Sequence, residues 1–416
     1  MKPRWSRALL FVLLMGLAIT FAVSAQNQQS QSGAQPAQTT TQTQQSLILK
    51  TLIGAFDSGD SATKLQVIKR AQAQPAEQMA PLYSHALDFF VSHAPQVTGD
   101  VNLYQAAIDT ANSIVKSGTS AELTQLWSLF QSVRDNTLRI ALLNDLGALG
   151  KGDAQTVANI NSWIEREALS SQGGARPDQQ VIQAAVDNLG KIADSSSLST
   201  FLHVVLAQIS DSLTTSAEKG LFAIKGDIVP LAVSAIQRLD ISQWDAATTF
   251  FLTATDASVS VRQGVAAGIL ALAVDYRTAD TSQQLQLRNL RSELARFLTQ
   301  HPTKDAATAL VRNFSQTVQE FDRNLTTRDR LLESIASLGT SDSEAAAQKL
   351  SDFMNLLNTY TQNDRSYDMQ VVLAVIDNLK SLGYQVAYQS IYYATLLKYP
   401  AQVLQAANDA LGALQK

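Results

Sequence analysis

Ala141-Leu142-Leu143-Asn144-Asp145-Leu146-Gly147 decides the reading of this chain. It returns as Ala184-Ala185-Val186-Asp187-Asn188-Leu189-Gly190 and again as Ala374-Val375-Ile376-Asp377-Asn378-Leu379-Lys380. Small, apolar and polar positions coincide in all three. Apolar side chains fall three and four apart, the spacing that aligns one face of an α-helix. Leu146 and Leu189 lie 43 residues apart and Ile335 and Leu379 lie 44 apart, the period of a two-helix repeat. Leu189 to Ile269 is 80, close to two periods, whereas Ile269 to Ile335 is 66, which implies an insertion or a longer helix.

Outward from these segments, helical spacing fills the chain from Leu47 to the end, broken by short Gly, Ser, Asp or Pro clusters, and no strand pattern interrupts it. Thr119-Ser120-Ala121-Glu122 and Ser341-Asp342-Ser343-Glu344 read as capping boxes, and Pro177 and Pro230 fall at or near first turns, where a missing amide hydrogen costs nothing. A helix pair of this length exposes an apolar face on each side, and only stacking on its neighbours removes both from water. Ala141, Ala184, Ala266 and Ala374 let neighbouring helices approach closely. The expectation is an all-α solenoid over residues 47–416, with roughly eight or nine stacked antiparallel pairs.

Phe250 through Leu272, with Asp256 in a turn and Val261-Arg262 opening the next helix, resembles the HEAT/armadillo repeat pattern. Asp135-Asn136-Thr137-Leu138-Arg139 through Leu146-Gly147 is similar to it, whereas Arg328 through Gly339 keeps the apolar spacing without the Val-Arg pair. The resemblance implies a right-handed superhelix in which Asp256 with Arg262, and Asp135 with Arg139, stitch neighbouring repeats together.

The first residues, Met1 to Arg7 with Lys2, Arg4 and Arg7, then the apolar run Ala8 to Val23, then Ser24-Ala25-Gln26, have the order of a secretory signal cut after Ala25. The alternative is an uncleaved anchor, although the run is shorter than the roughly 20 residues a spanning helix needs. The expected location is therefore secreted or periplasmic. Residues 26–46, rich in Gln, Thr and Ser with no charge, read as a disordered linker. There is no cysteine, so the core alone must hold the fold; 45% hydrophobic and 16% charged residues suit an ordered protein. The net charge of −4, or −7 once the three basic residues of the signal leave, argues against nucleic acid or an anionic membrane as partner. Membrane contact would come only through the N-terminal segment, if it stays uncleaved.

Residues for chemistry are sparse. His85 and His93 lie eight apart with Asp88 between them, His203 reads as a core imidazole, and His301 precedes Pro302 in a turn. Gly147 to Gly152 lacks phosphate-loop spacing and reads as a helix-ending turn. Glu165 and Glu167 diverge on a helix, and Arg288, Arg291 and Arg296 read as a solvated basic edge. Asn313-Phe314-Ser315 and Asn324-Leu325-Thr326 are glycosylation-type tripeptides. Tyr384, Tyr388 and Tyr392 repeat every four residues on the penultimate helix, either presented for contact or packed against the neighbouring helices. No catalytic, cofactor or metal set stands out. The sequence thus points to a non-enzymatic scaffold for a protein or peptide partner. The alternatives are a helical-toroid enzyme acting on polysaccharide or cell-wall material, and an envelope structural protein held by its N-terminal anchor.

Overall fold

The structure, a computed structural model, describes residues 37–415 apart from 175 and 366. The signal read at residues 1–25 lies outside the described residues. The chain divides into two compact units, residues 1–50 and 51–416. In the first, the described residues belong to helix α1 (Ala37–Ser58), which begins inside the stretch read as linker.

The second unit continues through α2 (Ser61–Ala71), α3 (Ala76–Ser92), the one-turn α4 (Ala94–Gly99), α5 (Val101–Ser117), α6 (Leu123–Ser132) and α7 (Asn136–Leu149). Next come α8 (Ala154–Gln172), α9 (Gln179–Ile192), α10 (Leu198–Ala207), α11 (Asp211–Ala223), α12 (Ile228–Arg238), α13 (Ile241–Thr253) and α14 (Val259–Asp275). The last are α15 (Thr281–Gln300), α16 (Ala307–Asp322), α17 (Arg328–Gly339), α18 (Glu344–Gln362), α19 (Met369–Leu382), α20 (Tyr388–Thr395) and α21 (Ala401–Leu414). No strand occurs among the described residues.

These helices stack in two rows. From α6 to α20 each even-numbered helix packs on the next even one, and α5, α7, α9 and α11, then α13, α15, α17, α19 and α21, do the same beside them. The second row passes from α11 to α13 through Phe222, whose ring meets Phe250 and Phe251 at 6.3 Å. Across the rows the pairs run α6 with α7, α8 with α9, and so on to α20 with α21. Ile269 lies on α14 and Ile335 on α17, so their 66-residue spacing spans three helices and a change of row. The interval also holds the 20-residue α15, the longer helix expected as the alternative to an insertion. The 80 residues from Leu189 to Ile269 likewise span five helices, short ones, rather than two full pairs.

The segments that decided the reading sit at the row contacts, with Leu146, Leu189 and Leu379 fully buried. A Cβ on Gly147 would lie 2.4 to 2.6 Å from Asn188 side-chain atoms of the next helix in its row, and one on Gly339 would collide with Asn378 in the same way. Asn188 Nδ2 donates to Asn144 Oδ1 at 2.9 Å across that contact and to Ala184 O at 2.8 Å, while Asn378 Nδ2 donates to Ala374 O at 2.7 Å. A glycine facing an asparagine therefore recurs at two row contacts.

Helix starts use a simpler device than the capping boxes. Asp60, Asp100, Asp135, Asp153, Asp178, Asp227, Asp240, Asp280 and Asp368 each accept a hydrogen bond from a first-turn amide. Neither box forms. Thr119 Oγ1 donates to Glu122 Oε2 at 2.8 Å, which spends its proton on the carboxylate, and Ser341 Oγ donates to Leu338 O at 2.7 Å, closing α17 instead of opening α18. Pro230 does fall in the first turn of α12, and Pro177 just ahead of the Asp178 cap. The stitching implied by the resemblance is also replaced. Arg262 Nη2 donates to Ala254 O of its own turn at 2.7 Å, Asp135 accepts from Tyr104 OH of α5 at 2.9 Å, and the Arg139 guanidinium lies over the Phe130 and Trp163 rings.

Candidate functional site

After α14 the chain turns through Tyr276, Arg277 and Thr278. Arg277 Nη1 donates to Val274 O at 2.6 Å, placing its charge over the C-terminal end of α14, where a cation is favoured. From there α15 presents Gln284, Arg288 and Arg291 at helical spacing, and α16 presents Arg312, Gln316 and Glu320 four apart. With Arg323 and Leu325 beyond α16, these rows line a cavity of about 590 Å³. That is the size range of small-molecule sites.

Five arginines and one glutamate line it, in a protein whose net charge is −4. Arg291 is only 3% exposed. Its Nη2 donates to Glu320 Oε1 at 2.6 Å and Oε2 at 2.8 Å, but Nε and Nη1 meet no acceptor, and neither does Nε of Arg288. Burial pulls the Arg291 pKa below the usual guanidinium range; Glu320 opposes this, while the charges of Arg288 and Arg277 add to it. Arg312 forms an ion pair with Asp275, and Gln316 Nε2 donates to Glu320 Oε1 at 3.1 Å. The solvated edge expected of Arg288, Arg291 and Arg296 is thus corrected: only Arg296, 57% exposed and paired with Glu333 at 2.9 Å, stands in solvent. The signal was present in the matching rows of α15 and α16, whose polar residues keep the spacing that elsewhere belongs to the core.

No family model matches this chain. A search of curated proteins returns no match either. Among solved structures, the crystal structure of an engineered protein is similar over 89% of this chain and 99% of its own, at 14% identity and a TM-score of 0.37.

The three tyrosines do not share one helix. Tyr384 is extended and precedes α20, with its OH 3.3 Å from Asp342 O, because a 3₁₀ turn over Gln385–Ala387 separates it from the helix. Tyr388 and Tyr392 do stack, with ring centroids 6.3 Å apart and 8° between planes. Tyr388 OH accepts from Gln415 Nε2 at 3.1 Å beside α21, whereas Tyr392 is 49% exposed. Tyr393 and Leu396 are exposed next to it. The arrangement is an aromatic edge on the penultimate helix.

The histidines serve elsewhere. His85 Nε2 lies 2.6 Å from Asp57 Oδ1, and His93 stacks on Phe89 with centroids 4.1 Å apart, so the two do not converge. Among the described residues no three His, Cys, Asp or Glu side chains gather for a metal. His203 is half-buried near Glu165, at 3.8 Å, rather than in the core. Glu165 accepts from Thr200 Oγ1 at 2.8 Å. Asn313 is buried inside α16, which removes it as a glycosylation acceptor in the folded protein. Gly147 to Gly152 ends α7 and turns, with Gly152 at φ +87°.

One carboxyl pair does meet beside an aromatic ring. Asp245 and Glu293 line a cavity of about 210 Å³ with Trp244, and burial followed by the Asp245 charge raises the Glu293 pKa.

Proposed function

We propose that the protein is an exported, non-enzymatic scaffold, a HEAT-like right-handed solenoid that holds a protein or peptide partner at the edge formed by Tyr388, Tyr392, Tyr393 and Leu396. The stacked rows of helix pairs support the repeat reading, since such arrays offer extended surfaces for a partner. The observation that carries the site is the exposed Tyr392 ring stacked on the half-buried Tyr388. Tyr392 is 49% exposed and Leu396 63% exposed on a helix otherwise closed by α18 and α21. Tyrosines combine contact area with a polar tip and few rotamers to freeze, which makes them effective anchors. Among the described residues no helix is long and apolar enough to cross a membrane.

A photo-crosslinking residue placed at position 392 of the full-length protein tests this in the extracytoplasmic fraction of the source cells. The expected result is one discrete crosslinked protein, lost when Leu396→Asp and Tyr393→Asp are added. Crosslinks that are diffuse and insensitive to those substitutions, or measured turnover of a cell-wall polysaccharide, would overturn the reading.

A further inference from the structure

The arginine-lined cavity of α14, α15 and α16 is more cationic than stacking requires, and it is independent of the aromatic edge. Core positions in the other row contacts are filled chiefly by apolar side chains, with single polar residues such as Asn188 and Ser390 that are hydrogen-bonded across the contact. Here the chain instead brings Arg277, Arg288, Arg291, Arg312 and Arg323 around one volume with only Glu320 among them. Arg277, Arg312 and Arg323 reach solvent, which screens them, but Arg291 and the inner part of Arg288 are desolvated, and there like charges repel more strongly and favour a counter-charge. Glu320 is already engaged by Arg291, and Asp275 by Arg312. No acidic side chain lines the cavity for Arg277, Arg288 or Arg323. The unpartnered Nε and Nη1 of Arg291 and Nε of Arg288 are buried donors without acceptors, which native interiors seldom leave so. Gln284, Gln316 and Ser315 add neutral polar groups, and Tyr276, Leu287 and Leu325 supply an apolar wall.

We infer that this cavity is a binding site for a small polyanion, a compact molecule carrying two or more carboxylate or phosphate groups. Three considerations set that class. The excess of arginines over carboxylates calls for more than one negative charge. Guanidinium forks match the paired oxygens of carboxylate and phosphate. The volume of about 590 Å³ admits a small molecule and excludes a folded partner. Carboxylate and phosphate ligands share this chemistry, so the test carries an arm for each.

Isothermal titration calorimetry of the full-length protein with citrate, with pyrophosphate and with acetate, at matched ionic strength, reads the site directly. Saturable binding of citrate, pyrophosphate or both is expected, at least about tenfold tighter than acetate. Citrate alone would mark a polycarboxylate site, pyrophosphate alone a phosphate site, and both a site selecting for charge. The double variant Arg288→Gln/Arg323→Gln, whose side chains are not in the core, is expected to weaken binding at least about tenfold, since each loses a charge-assisted donor. Arg296→Gln, outside the cavity, should leave it within about twofold. Circular dichroism of both variants checks that they fold. Saturable binding of neither polyanion, or equal affinity in the wild type and the folded double variant, would overturn the inference.

Discussion

Asp145 is the residue most at odds with its surroundings. It is 6% exposed, its Oδ2 has no partner, and burial pushes its pKa up to about 7. In the three recurring segments its column is occupied elsewhere by Asn188 and Asn378, each of which donates back to the carbonyl four residues earlier. An asparagine there would gain the same bond to Ala141 O and shed a buried charge. Because its folded pKa is raised, the stability Asp145 contributes is complete below the ordinary Asp range and is lost as pH rises toward about 7. Asp145→Asn is therefore expected to raise stability at pH 7 by on the order of 2 kcal/mol and to flatten its decline between pH 4 and 7, as read by urea denaturation across pH. Gly147 gives the opposite case. Gly147→Ala should cost about 1–3 kcal/mol, because the added methyl meets Asn188 and one of the two helices must shift. These columns were legible in the sequence as coincident small and polar positions. That a glycine and an asparagine forty residues apart touch was not, since periodicity places residues on a face without naming the neighbour.

At the scale of the element, helix ends were the part the sequence misled on. The pattern Ser or Thr followed three residues later by Glu is common and points to Thr119 and Ser341, while the working caps are mostly single aspartates, as at Asp60, Asp100 and Asp240, with Ser210, Ser258 and Thr327 doing the same at α11, α14 and α17. The hydroxyl of Thr119 had a competing acceptor in Glu122, a choice that local spacing does not decide. Asp100→Ala is expected to cost about 1 kcal/mol in chemical denaturation, whereas Ser341→Ala should leave the start of α18 unaffected. Hydrogen bonds from the hydroxyls of Thr63, Ser61 and Ser242, with first-turn amides adding to them, lower the pKa values of Asp60, Asp100 and Asp240 respectively. Their contribution is present above the ordinary Asp range and is lost as pH falls through the lowered values, so stability should begin to decline below about pH 4. The arginines of α15 were misread for a related reason: polar residues at helical spacing resemble a solvated face unless the facing helix is known to carry its own polar row.

At the scale of the whole molecule, the period was legible and its bookkeeping was not. Spacings of 43 and 44 residues pointed to helix pairs, and the pairs are there. The irregular intervals arise because similar segments sit in both rows and because α10 to α13 are short, so a count along the chain alternates between whole and half repeats. The same stretch in which the count slips, from α14 to α17, holds the arginine-lined cavity, so the loosened rhythm coincides with the place where polar function replaces apolar core.

The central claim is that each helix is completed by its neighbours two positions along, and the chain is suited to test it because it has no cysteine of its own. Ser351 and Ser390, on α18 and α20, bring their Oγ atoms to 2.9 Å, and Asn144 and Asn188, on α7 and α9, are hydrogen-bonded at 2.9 Å. Introducing Ser351→Cys with Ser390→Cys should give a disulfide on mild oxidation, because their Oγ approach suits S–S geometry, and Asn144→Cys with Asn188→Cys, whose contact lies beyond Cβ, should be bridged by a short bifunctional maleimide; both are detected by mass spectrometry of the non-reduced digest. A control pair, Asn144→Cys with Ser390→Cys, should give none. Efficient crosslinking of the control, or failure of both neighbouring pairs in folded protein, would contradict the stacked arrangement.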